Sequence, residues 1–129
     1  MQIHQSAEDY LETILMLSQR MGTVRSIDVV NELGFTKASV SIAMKKLREN
    51  GYIAVDGEGN LTLLEPGLEI AQRIYSRHRL LTHFFVQLGV DEQTAAEDAC
   101  KAEHILSEQT LEKIRESALR NDAAHPQAK

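Results

Sequence analysis

The stretch ACKAEHILSEQTLEKI, from Ala99 to Ile114, contains the single cysteine of the chain, Cys100, followed by Glu103 and His104. On a helix, positions i, i+3 and i+4 share one face. Ala99, Ala102, Leu106, Leu111 and Ile114 recur at helical intervals with no Gly or Pro between them. The spacing therefore predicts a helix that aims a thiolate, a carboxylate and an imidazole the same way. That donor set suits Fe, Co, Ni or Zn better than Ca or Mg. A second reading stands beside it. A lone helical cysteine is commonly a small buried hydrophobe, and Glu–His pairs are ordinary features of helix surfaces. The stretch alone leaves both open.

Composition bounds what the rest of the chain can be. Its 129 residues make one ordinary domain, or a small domain with an appendage. An apolar content of 43% is enough for a core, and with no Trp, three Tyr and three Phe that core must rest on Leu, Ile, Val, Ala and Met. One cysteine excludes an internal disulfide framework and fits a reducing compartment. The N-terminal MQIHQSAEDYLE has no basic region followed by an apolar run, so it does not read as a signal peptide. No stretch approaches the roughly 20 apolar residues of a membrane span. The expectation is a cytoplasmic protein with no membrane partner. A net charge of -5 argues against indiscriminate nucleic-acid binding but leaves room for a local basic surface. No Ser-His-Asp arrangement, Gly-rich phosphate loop or HExxH motif is present, and an enzyme is not expected.

The elements that would position the donors follow from periodicity. Leu11, Ile14, Leu15 and Leu17 fall in a helical pattern over residues 7–21, closed by Gly22. SIDVVNELG reads as a short second helix, capped by Ser26 and stopped by Gly34. TKASVSIAMKKLRENGYI reads as a third, starting near Thr36 or Lys37 and ending at Gly51. A tight glycine turn between two such helices is the outline of a helix-turn-helix. In YIAVDGEGNLTLLEPG, two short apolar runs flank DGEGN, which predicts a hairpin, the wing of a winged helix. Pro66-Gly67 then interrupts the pattern. LEIAQRIYSRHRLLTHFFVQLG follows as a long amphipathic helix ended by Gly89, VDEQTAAEDACKAEHILS as another and SEQTLEKIRESALR as a last short one. NDAAHPQAK has no apolar face and is expected to fray. The expected fold is mainly α, with an N-terminal winged helix-turn-helix over 1–65, a helical dimerisation unit over 66–120 and a flexible tail over 121–129.

Charge points the same way. From Gly34 to Arg48 stand Lys37, Lys45, Lys46 and Arg48 with no acid, whereas Asp91 to Glu116 is decidedly acidic. A basic third helix suits the major groove of DNA, although any solvated helix face can carry charge. The small side chains of Thr36, Ser39 and Ser41 let the helix N-terminus approach phosphates, and Lys45 and Lys46 hold the backbone. No arginine stands in TKASVS to make a bidentate contact with guanine. Lys37 is the best candidate for a base edge, and DNA shape would supply further specificity. The helices after residue 65 need another task, most simply homodimerisation. Leu80, Leu81, Phe84, Phe85, Leu88, Ile105 and Leu106 offer apolar surface to be divided between core and interface.

Taken in order, AEDYLETILML, LGFTKASVSIAMKKLRENGYI, YSRHRLL and CKAEHILSEQTLEKI resemble the metal-dependent repressors related to the diphtheria toxin repressor and the manganese transport regulator. The resemblance runs from Ser6 to about Ile114. It implies a homodimer that binds a palindromic double-stranded operator when loaded with metal and represses manganese or iron uptake genes. It also implies a metal site on Asp9, Glu12, His78, Cys100, Glu103 and His104. Asp9 with Glu12 resembles the manganese branch, whereas the diphtheria-type branch has methionine at the first position. Cys100 departs the other way, because a cysteine there belongs to the iron-responsive branch and a glutamate to the manganese branch. Thr82 and Ala96 stand where the diphtheria-type ancillary site needs an acid and a histidine, so a complete site of that type is not implied. The sequence ends near residue 129 without a counterpart of the SH3-like third domain of longer relatives, again as in the manganese branch. The implied cofactor is a divalent transition metal, Mn(II) or Fe(II) first, with Zn(II), Co(II) or Ni(II) as alternatives and room for two per subunit bridged by Glu103. The competing reading is a winged-helix regulator that senses another effector, or redox state through Cys100. His83 is expected in the core or an interface. His4 and His125 have no assigned role.

Overall fold

Helix α1 (Gln5–Met21) buries the side on which Tyr10, Leu11, Ile14, Leu15 and Leu17 recur. The computed structural model describes residues 5–124, with side chains from Ser6 to Arg120. The chain divides into two compact units, Met1–Arg73 and Ile74–Lys129. Helix α4 (Glu65–Gln87) starts beside the expected boundary after residue 65 and runs through this division.

In the first unit α1 is followed by β1 (Val24–Arg25), α2 (Ser26–Leu33), α3 (Lys37–Glu49), β2 (Ile53–Val55) and β3 (Asn60–Leu63). Helix α2 packs on α1 and α3, and α1 and α3 each pack against the sheet. Val29, Val40, Met44, Leu47, Ile53 and Leu61 fill the space between them. The α2–α3 turn needs Gly34, whose φ of 72° is left-handed and whose N–H donates to the Val30 carbonyl at 2.8 Å. Phe35, next in the turn, stands edge-on against Tyr10 with ring centroids 5.9 Å apart, tying the turn to α1. Ser26 proves to be the first helical residue rather than the cap. Arg25 occupies the cap, its N–H donating to Asp28 Oδ2 at 2.9 Å.

The wing is an antiparallel three-stranded sheet in the order β1-β3-β2, with Val24 opposite Leu61 and Ala54 opposite Thr62. The hairpin was expected but β1 was not, because two residues carry no readable alternation. Asp56 fixes the hairpin turn: Oδ1 accepts from the N–H groups of Glu58 and Asn60, each at 2.9 Å. Those bonds, the one from Asn60 foremost, hold its carboxyl below the usual range.

Pro66-Gly67 was expected to interrupt the chain, yet both lie in the first turn of α4. Proline is at ease there, because the N–H it lacks would have had no partner inside the helix. Gly67 is required by packing. A Cβ at this position would run into the Tyr52 carbonyl oxygen, which already accepts from Leu64 N–H at 3.0 Å.

The second unit holds the remainder of α4 with α5 (Glu92–Ala102) and α6 (Glu108–Ala124). Leu81, Ala99 and Leu111 form its buried centre, with Leu80, Phe85, Ala102, Leu106 and Ile114 packed around them. Leu88 at 66% and Ile105 at 76% relative exposure stay outside that core. Asp91 caps α5, accepting from Thr94 N–H at 3.0 Å, and its carboxyl is lowered for that reason. The single helix expected over 90–107 stops at Ala102. Ser107 accepts from Thr110 N–H at 3.1 Å and so caps a new helix, leaving a turn between α5 and α6. Helix α6 carries its backbone through Ala124, into the segment expected to be tail, and residues 125–129 lie outside the described residues. Among the described residues, no helix is long and apolar enough to cross a membrane.

Candidate metal centre and nucleic-acid interface

In the second unit the candidate metal donors come from α4 and from the turn after α5. Helix α4 carries His78, the α5 C-cap is Glu103, and His104 follows it. Glu103 is the centre of this group. Its residue is 0% exposed, its Oε2 lies 3.1 Å from His78 Nδ1, and its Oε1 lies 3.4 Å from His104 Nε2. Taking a carboxylate out of water is costly unless charges or donors compensate. Here two imidazoles face it. One carboxylate between two imidazole nitrogens is an O,N donor set suited to a divalent transition metal, so the residues fit the group that the sequence implies.

The turn that presents Glu103 is held from α4. Arg77 Nη1 donates to the Glu103 carbonyl at 3.3 Å, and the same guanidinium pairs with Glu108 at the start of α6. Thr82 Oγ1 donates to the His78 carbonyl at 2.8 Å. Arg77→Ala is expected to lower metal affinity about 10-fold by loosening the turn, with the far-ultraviolet spectrum unchanged. A titration of metal into both proteins checks this.

In the first unit Asp9 and Glu12 occupy α1, Glu12 buried and Asp9 partly so. Burial, and then the neighbouring Asp9 charge, hold the Tyr10 phenol above its ordinary range. Cys100 is exposed on α5, whereas Glu103 is buried and the His104 side chain is only 2% exposed. The helix α5 ends at Ala102, and Glu103 and His104 open the turn that follows it. His83, expected in the core or an interface, is exposed on α4.

The candidate DNA residues all lie on or beside α3. Thr36 is its N-cap: Oγ1 accepts from Ser39 N–H at 3.1 Å and its hydroxyl donates to Ser39 Oγ at 2.9 Å. These two hydroxyls thus build the helix start. Lys37, Ser41, Lys45 and Lys46 are exposed. Ser41 and Lys45 also line a recess of about 250 Å³ with Ser26, Met44, Arg48 and Val55, between α3, the start of α2 and the wing. Arg48 and Ser26 were not among the expected contacts. Their signal, a cation on the last turn of α3 and a hydroxyl opening α2, was in the sequence but acquires meaning only beside the wing.

Comparison with known proteins agrees with this geometry. Residues 2–61 match the N-terminal DNA binding domain of the iron dependent repressors, and residues 64–126 match their metal binding and dimerisation domain. The chain is 37% identical over 113 residues to an uncharacterized HTH-type transcriptional regulator of Methanocaldococcus jannaschii, covering 86% of this chain and 90% of that one. It is 34% identical over 109 residues to the HTH-type transcriptional regulator MntR of Bacillus subtilis, covering 84% and 77%. Among solved structures, a manganese-dependent transcriptional repressor in complex with manganese superposes with a TM-score of 0.78 at 28% identity, over 87% of this chain. The chain spans about half, 52%, of that protein's length. The chain belongs to the iron dependent repressor family of metal-dependent transcriptional regulators, the family of the diphtheria toxin repressor and the manganese transport regulator. Members of this family are transcriptional repressors and not enzymes.

Proposed function

We propose that this chain represses manganese or iron uptake genes by binding a palindromic operator as a metal-loaded homodimer. The observation that carries the reading is the fully buried Glu103 carboxylate facing both His78 and His104, in a chain whose other unit is a winged helix-turn-helix. In this reading the donors are Asp9 and Glu12 of the first unit with His78, Glu103 and His104 of the second, as the family resemblance implies. Cys100 completes the set on the strength of the family resemblance. A bound divalent ion supplies the positive charge that offsets these carboxylates. Asp9 and Glu12, both on α1, make the DNA-binding unit answer to the occupancy of the donors in the second unit. Lys37, Ser41, Lys45 and Lys46 meet the operator, while Thr36 and Ser39 keep the start of α3 in shape. Metal and DNA then each raise the affinity of the other.

The test is operator affinity, on a palindromic duplex selected from a random library, with and without buffered Mn(II) or Fe(II). Metal is expected to raise affinity about 10-fold or more, within the range typical of coupled sites. Equal affinity in both conditions sinks the reading. The exposure of Cys100 favours one alternative, a regulator that responds to oxidation of this thiol. In that case Cys100→Ser would lose the response to peroxide while metal would have no effect.

A further inference from the structure

Helix α3 buries Val40, Met44 and Leu47 along one stripe. With 3.6 residues per turn, positions 42 and 49 lie opposite that stripe. Ile42 is 59% exposed, more than any other large apolar residue described in the first unit. Its helical neighbours at three and four positions are Ala38 and Ser39 before it and Lys45 and Lys46 after it, all exposed. A branched apolar side chain thus stands with small residues on its N-terminal side that leave it proud of the helix, and with Lys45 and Lys46 one turn on, before the exposed Glu49 at the helix end. The lysines match a polyanion. Ile42 can neither donate nor accept a hydrogen bond, so among the major-groove base edges it has one favourable partner, the C5-methyl group of thymine.

We propose that Ile42 determines specificity by packing against a thymine methyl in each operator half-site. The inference rests on the operator-binding reading above and extends it to the base recognised. It also moves the centre of readout from Lys37 to Ile42, because Lys37 lies away from the crest of the exposed face.

The experiment uses the full chain with Mn(II) and an operator duplex selected from a random library. Each thymine is replaced in turn by deoxyuridine, which removes only the methyl group. Wild type is expected to lose about fourfold in affinity at one symmetric thymine position, the value of one buried methyl per contact. Ile42→Ala should bind the thymine operator more weakly than wild type and be indifferent to deoxyuridine at that position. Its salt dependence should match wild type, because no phosphate contact is removed. Salt-dependent binding in which no thymine methyl matters, or in which wild type and Ile42→Ala lose equally, overturns this inference and leaves operator binding standing. Failure of the metal-loaded protein to bind any duplex overturns both.

Discussion

Glu103→Gln is expected to abolish the metal response while leaving the metal-free protein folded. Glutamine keeps the volume and one carbonyl oxygen of Glu103 but removes the charge that faces His78 and His104. In wild type, metal at about 100 times its dissociation constant should stabilise the protein by about 2.7 kcal/mol. In the variant the melting temperature should not move with metal, and operator affinity should stay at the metal-free level. The metal-free variant should be no less stable than wild type, because a fully buried carboxylate is costlier to desolvate than its amide. If the carboxylate were only an ion-pair partner for the two imidazoles, the pattern would reverse. Metal-free stability would fall and any effect of metal would persist. Thermal unfolding of both proteins, with and without Mn(II), separates the two outcomes.

Gly67→Ala decides between two principles that give opposite signs. Inside a helix, alanine is favoured over glycine by about 1 kcal/mol, so propensity alone predicts a more stable protein. The structure predicts the reverse. The added methyl meets the Tyr52 carbonyl oxygen, a backbone atom already committed to Leu64 N–H, and its next neighbour is the Leu11 side chain. A backbone atom cannot swing aside as a side-chain end can, so relief requires moving the end of the wing or the start of α4. A loss of about 1–3 kcal/mol is expected, in the range of overpacked cores. Urea unfolding gives the sign directly. Pro66→Ala in the same turn reports what an alanine does there without that collision.

These two predictions show what kind of information each level holds. The helix-turn-helix and the hairpin were legible because their signals are local. Gly34 closes α2, Thr36 caps α3, and DGEGN turns the wing, each within a few residues of the bonds it makes. Glu103 and His104 were legible as donors for the same reason. His78 and the α1 carboxylates entered only through the family resemblance, since 25 residues separate His78 from Glu103 and no local period connects them.

The sequence by itself determined which residues are apolar, where helices begin, and which side chains are able to ligate or to meet phosphate. Tertiary structure decided what covers them. Leu81 and Leu88 look alike on one helical pattern, yet Leu81 meets Ala99 and Leu111 while Leu88 stays in solvent. Gly67, which reads as a break, is a close approach between a helix and the carbonyl of Tyr52. Ile42 reads as one more apolar residue of α3 until the buried stripe shows that it points the other way. The reason is common to all three. Periodicity belongs to a segment and can be read along it, whereas burial belongs to a pair of surfaces, and the second surface comes from elsewhere in the chain.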